Sequence, residues 1–299
     1  MLTERIGEIA ALGTALLWSL TYVQFTIAVR SLGPARLNRL RLLIALGFLL
    51  CTHAVVFHTP IPLGVEIERW GWLIVSGVVG FTVSDALLFS ALLRLGAHRT
   101  SMVTALIPVV SALLAWAVFG ERLTATQIVG SLVTLAGIAI VISARPNDDE
   151  ARRNGVWIGV LFALGTVVTQ SIRYILSKRG MAGDFPALSA NTMQILAATV
   201  AAWIPAFVRR DVRRSFEALG KGRVLAPTAG GAVAGPFLGV TLSMVALTRA
   251  SVGIASTLMA LVPVFLLPFS HFVLKERITL RAVLGTALAV GGVAFLFLG

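Results

Sequence analysis

A chain of 299 residues in which 57% are hydrophobic and only 13% are charged is not an ordinary soluble domain, where about a quarter are charged. Its net charge is +12, but the basic residues sit at the ends of apolar runs. That placement excludes a nucleic-acid reading and makes them topology signals and anchors at anionic headgroups.

Thr3–Glu8 is charged, and the run after it is long and lacks a small-x-small exit site. It therefore reads as a first membrane helix and not as a cleavable signal. Ten spans emerge, at about 9–29, 37–57, 70–92, 101–119, 126–143, 155–177, 187–207, 224–247, 253–274 and 281–298. Met102–Phe119, Ile254–Leu274 and Val283–Leu298 carry no Asp, Glu, Lys or Arg. They approach the ~20 residues a helix needs to cross a bilayer. Backbone amides in hydrocarbon must be satisfied within their own segment, so an all-α fold is expected; the alternation of a membrane barrel is absent. The lone cysteine, Cys51, lies inside an apolar run and reads as a small core residue. Two polar interruptions stand out. Ala144–Asn154 falls at the midpoint and reads as a linker between halves at 1–143 and 155–299. Arg209–Arg223 reads as an amphipathic basic loop or short surface helix against headgroups.

The halves repeat. A shift of 155 pairs Pro108 with Pro263, Glu121–Arg122 with Glu276–Arg277, Thr124 with Thr279, Gly130 with Gly285 and Gly137 with Gly292. Earlier in each half a shift of 152 pairs Gly13 with Gly165, Ser19 with Ser171, Tyr22 with Tyr174 and Pro34 with Pro186. Five helices per half is an odd number, so the halves cross the membrane in opposite senses. This is the inverted-repeat plan of many secondary transporters, with a site near the midplane between repeats.

The twice-present pattern is Ala91–Leu92, Pro108, Glu121, Thr124, Gly130 and Gly137, then Ala246–Leu247, Pro263, Glu276, Thr279, Gly285 and Gly292. It resembles the EamA domains of the drug/metabolite transporter superfamily, over nearly the whole chain. The resemblance implies a ten-helix carrier, and for bacterial members often an exporter of amino acids and other small metabolites. It also implies an arginine near the start of the second span, where Arg41 fits best and the second copy has Met193.

Several residues invite a functional reading beside a structural one. In the first span Thr14, Trp18, Thr21 and Phe25 share a face, flanked by Tyr22; in the sixth, Thr166, Gln170, Arg173 and Ser177 do, flanked by Tyr174. Polar side chains in lipid usually face a bundle interior or wet cavity, so the two faces are expected to meet as walls of a central pocket. Plain core packing is the alternative. Asp85 is the one acid deep in an apolar segment and is a coupling-ion or ammonium candidate, or half of a structural ion pair with a cation such as Arg173; its repeat mate is Val240. Asn38, Arg39 and Arg41 open the second span, with Asn191 and Gln194 at the matching place in the seventh. They read as substrate contacts, while an arginine there reads equally as a headgroup anchor. Pro108 and Pro263 read as hinges or as static kinks. Gly130, Gly137, Gly285 and Gly292 lie two turns apart on one face and read as close-packing surfaces, as do Ser76, Gly80 and Ser84 with their mates Gly231, Gly235 and Gly239. His53, His58, His98 and His271 have no metal-site spacing.

With the N-terminus on one side, seven of the 25 basic residues share that side and eighteen lie opposite. The positive-inside rule then puts both termini outside the cytoplasm. No GxxxxGK[ST] phosphate loop occurs, so the chain hydrolyses no ATP of its own. The expected protein is a secondary carrier of the inner (plasma) membrane, monomeric or homodimeric and without cofactor. Its partners are a small-molecule substrate, lipid and, as coupling ion, protons. A proton-coupled exporter of organic cations is the rival within transport, although the first span supplies no acid beyond Glu4 and Glu8. An intramembrane lipid-modifying enzyme is the rival outside it, although no His, Asp, Ser and Cys cluster supports one.

Overall fold

The computed structural model describes residues 6–119, 124–143, 150–183, 185–220, 224–249, 258–259, 261–275 and 278–296. Glu121, Arg122, Glu276, Arg277 and the linker residues 144–149 lie outside them. The helices are α1 (Ile6–Leu32), α2 (Pro34–Phe57), α3 (Ile67–Leu95), α4 (Ala97–Thr104), α5 (Ile107–Phe119) and α6 (Ala125–Ser143) in the first half. In the second half they are α7 (Glu150–Gly180), α8 (Ala187–Val208), α9 (Val212–Leu219), α10 (Leu225–Arg249), α11 (Val262–Phe272) and α12 (Leu280–Leu296). Among the described residues there is no strand, and six helices are long and apolar enough to cross a membrane unaided. The protein is an all-α polytopic membrane protein. Large apolar side chains such as Leu132, Leu161, Val200, Phe207 and Leu284 face outward, as a lipid solvent allows.

Local chemistry sets the joints. Gly33 (φ 73°) and Gly96 (φ 79°) take backbone angles that side chains resist, allowing one-residue corners between α1 and α2 and between α3 and α4. The fourth span is not one helix: it breaks at Ala105–Leu106 and restarts with Pro108 in its first turn, where a missing N–H costs least. Pro263 likewise sits in the first turn of α11. Both prolines thus begin helices and do not bend them from within. Glu150–Asn154, expected in the linker, are the first residues of α7. Cys51 is exposed on α2, not in the core.

The halves interlock. Span one (α1) packs on α10 and α11, and its mate α7 packs on α3, α4 and α5. Helix α2 packs on α8, and α6 on α12. At the last crossing a Cβ on Gly137 would strike the backbone at Ala289, one on Gly285 would come 2.8 Å from Gly137 O, and one on Gly292 would come 2.8 Å from Gly130 O. Thr134 Oγ1 donates to Ala289 O at 3.3 Å, its own repeat mate. Gly130 thus meets Gly292 and Gly137 meets Gly285, so the two helices run antiparallel, as inverted halves require. Without a hydrophobic force between helices in lipid, this backbone approach is what van der Waals packing can use.

Candidate functional site

Helix α2 carries the first polar cluster. Asn38 and Arg41 lie one turn apart on its α3-facing side. The Arg41 guanidinium donates to Asn38 Oδ1 at 2.9 and 3.0 Å and to Phe81 O at 3.3 Å, and it pairs with the Asp85 carboxylate. Arg41 is 3% and Asp85 4% exposed. Phe25 and Phe89 cover the guanidinium, with centroids 5.5 and 5.0 Å from Cζ, and meet edge to face. So Arg41 is neither a headgroup anchor nor the cation-free neighbour of an acid paired elsewhere. The ion pair of Asp85 is with Arg41 and not with Arg173, which lies within electrostatic reach of the carboxylate and packs its side chain on Gly80.

Arg173 organises the second cluster. A Cβ on Gly80 would land on the Arg173 side chain, so the missing side chain makes the room that arginine occupies. Arg173 Nε donates to Gln170 Oε1 at 2.6 Å and Nη1 reaches Gln194 Oε1 at 3.5 Å. Gln194 Nε2 donates to Ser177 Oγ at 3.0 Å, and Ser177 shares a 2.7 Å hydrogen bond with Ser76. The guanidinium stacks on Phe81 and Tyr174 at 4.8 and 4.6 Å. Arg173 is 4% exposed, yet among the described residues it forms no ion pair. Its hydrogen-bond partners are all neutral, and a buried cation without an ion pair is costly unless an anion completes it.

The first and sixth spans do not meet stripe to stripe. Each stripe lies on the small-residue stripe of the opposite half. Thr21 faces Gly235 and Trp18 faces Gly239, where a Cβ would come within 2.8 and 2.7 Å; Phe25 faces Gly231. Across the axis, Arg173 faces Gly80, and Ser84 Oγ donates to Thr166 O at 3.3 Å. The residues left half-buried on the inner flanks are Trp18, Tyr22, Gln170 and Tyr174. Tyr22 Oη shares a 2.8 Å hydrogen bond with Thr104 Oγ1, at the end of α4 just before the break. Tyr22 lies within electrostatic reach of Asp85 and of Tyr174, and Asp85 within reach of Arg173, so the two clusters border one region.

Three features were not legible in the sequence. Val78–Ser84 in α3 and Val233–Gly239 in α10 are π-helical, 155 residues apart. Such turns loosen the hydrogen-bond ladder and are frequent at functional sites. Asn38 Nδ2 donates to Thr82 O at 3.0 Å within the first, and Asn191 Nδ2 to Pro236 O at 2.9 Å within the second. Ser19 Oγ donates to Val262 O at 3.1 Å and Ser171 Oγ to Ile107 O at 3.3 Å. Each serine thereby ties the first span of one half to the carbonyl just before the other half's proline.

A family model described as the EamA-like transporter family matches residues 5–143 and again 157–298. The chain belongs to the EamA-like transporter family. Its two matched segments are the halves whose contacts are described above. A relative from Streptantibioticus cattleyicolor, named a probable terminal-alkyne amino-acid exporter, is 27% identical over 169 residues. That match covers 55% of this chain and spans about half, 52%, of the relative. A solved structure described only as "Crystal structure of protein" superimposes with a TM-score of 0.65 at 22% identity, covering 98% of both chains. At that identity it speaks for the fold of this EamA-like transporter and not for its cargo.

Proposed function

We propose that the protein exports amino acids or similar small carboxylates across the inner membrane by alternating access between its halves, 1–143 and 155–299, joined at 144–154. The observation that carries this reading is Arg173: a buried cation held by two glutamines and two aromatic rings that forms no ion pair among the described residues, with Asp85 within electrostatic reach but paired to Arg41. A substrate carboxylate entering there would gain charge-assisted hydrogen bonds in a water-poor setting. Trp18, Tyr22 and Tyr174 offer aromatic walls with polar tips for the rest of a small amphipathic molecule. Asp85 stands in reach of the same region and is the ammonium or proton site, with Arg41 as the counter-charge it exchanges. The break before Pro108 and the start of α11 at Pro263 act as hinges, and the Ser19 and Ser171 hydrogen bonds let each half sense the other's hinge. The basic bias places both termini on the non-cytoplasmic side. An organic-cation exporter fits less well, because the buried Arg173 cation at the centre of the region would repel a cargo that brings no carboxylate to it.

The test is uptake of labelled amino acids into proteoliposomes, with and without an imposed pH gradient. At least one amino acid is expected to accumulate, and Asp85→Asn is expected to lose any response to the gradient. Transport of none would sink the substrate class. Unchanged gradient-driven transport in Asp85→Asn would remove the role given to that carboxylate.

A further inference from the structure

We infer that one end of α2, α8 and α9 forms a binding site for an anionic phospholipid, separate from the central clusters. Two concavities lie side by side there. One, about 460 Å³, is lined by Arg36, Arg39, Arg209 and Arg214 with Asp211 as its one acid. The other, about 390 Å³, is apolar and is lined by Leu43, Val200, Trp203, Ile204, Phe207 and Phe216 among others. Asp211 pairs with both Arg36 and Arg39, which leaves the first concavity a net positive charge. The two meet where the Arg39 guanidinium lies 5.9 Å from the Trp203 ring, and Trp203 in turn stacks on Phe216 of α9 at 5.4 Å.

At that junction sit two buried N–H donors with no acceptor among the described residues, Arg39 Nε and Trp203 Nε1. Arg39 is 5% and Trp203 7% exposed. Orphaned buried donors are costly, and both call for an oxygen acceptor rather than another donor. A phosphodiester above and its ester carbonyls beside an acyl chain supply such oxygens where charge gives way to hydrocarbon. The amphipathic α9 forms the outer wall: Val212 and Phe216 line the apolar side, Arg214 the basic side. A zwitterionic lipid would bring its own cation to a basic surface, so the anionic class is the better match.

Native mass spectrometry of the full-length protein in detergent tests this with phosphatidylglycerol and phosphatidylcholine of matched chains. Phosphatidylglycerol is expected to be retained roughly tenfold more strongly, and Arg39→Gln to cut that preference about fivefold. Arg214→Gln, at an exposed position that leaves packing intact, is expected to do the same. Glycerol 3-phosphate alone is expected to compete poorly because it leaves the groove unused. Equal retention of both lipids, or an unchanged preference in Arg214→Gln, would overturn the site. Competition by glycerol 3-phosphate as strong as the whole lipid would make it a free-anion site instead.

Discussion

The two halves share a scaffold but not a chemistry. Both have a π-helical turn held by an asparagine, Asn38 in one and Asn191 in the other. Both send a first-span serine to the carbonyl before the partner's proline, and both bury glycines at the α6–α12 crossing. The charges differ: where the first half places Arg41 against Asp85, the second, aligned on the equivalent Asn38 and Asn191 instead of on the 152-residue shift that gives Met193, has Gln194 and Val240. The difference separates two demands. Exchange between two inverted conformations needs interchangeable joints, whereas one asymmetric substrate needs one set of charges. Substitutions in the joints should therefore act alike in either half, and substitutions in the charged clusters should not.

The largest effect is expected at the Arg41–Asp85 pair. Asp85→Leu strands a buried guanidinium, a loss of about 3–5 kcal/mol, read as a drop in thermal unfolding temperature in detergent. Replacing both members, Arg41→Met with Asp85→Leu, is expected to recover most of that loss. If the single variant is as stable as the parent, the pair is not what holds α2 to α3. Next come the glycines at the crossing. Gly137→Ala and Gly292→Ala each push a Cβ into facing backbone, at an overpacking cost of about 1–3 kcal/mol. The two should agree closely, while Gly291→Ala, which meets open space, should cost almost nothing. A large difference between the first two would break the symmetry of the scaffold. The smallest effect belongs to Asp211, outside the spans. Hydrogen bonds from Arg36 and then Arg39 hold its carboxyl below the usual range. A depressed folded-state value stabilises above the ordinary carboxylate range, near about pH 3.9, and is lost as the pH falls through the folded value. The stability profile of Asp211→Asn should thus converge with the parent's only in strong acid; convergence at neutral pH would show that the pair contributes nothing.

Much of the architecture was written in periodicity and repeat spacing, since span length and small-residue stripes depend only on local sequence. Gly80 and Gly235 were legible as close-packing positions for that reason, although not that Arg173 and Thr21 would fill the space they leave. The Asp85 partner was not legible. Arg41 and Arg173 are both cations in apolar segments, and choosing between them requires the rotation of α2 and α7 about their axes. The π-helical turns were also hidden: Val78–Ser84 and Val233–Gly239 share little but glycine, and their looseness is settled by tertiary contacts from Asn38 and Asn191. Pro108 and Pro263 marked the joints, but only the structure places them at helix starts.

The most direct measurement is the transport kinetics of Arg173→Gln in proteoliposomes, using an amino acid that the parent carries and the amine lacking its carboxylate. KM for the amino acid is expected to rise roughly ten- to a hundredfold, the loss that follows when a charge-assisted pair is removed. Discrimination against the amine should collapse while the protein stays folded. An unchanged KM with discrimination intact would contradict the assignment of Arg173 as the carboxylate site.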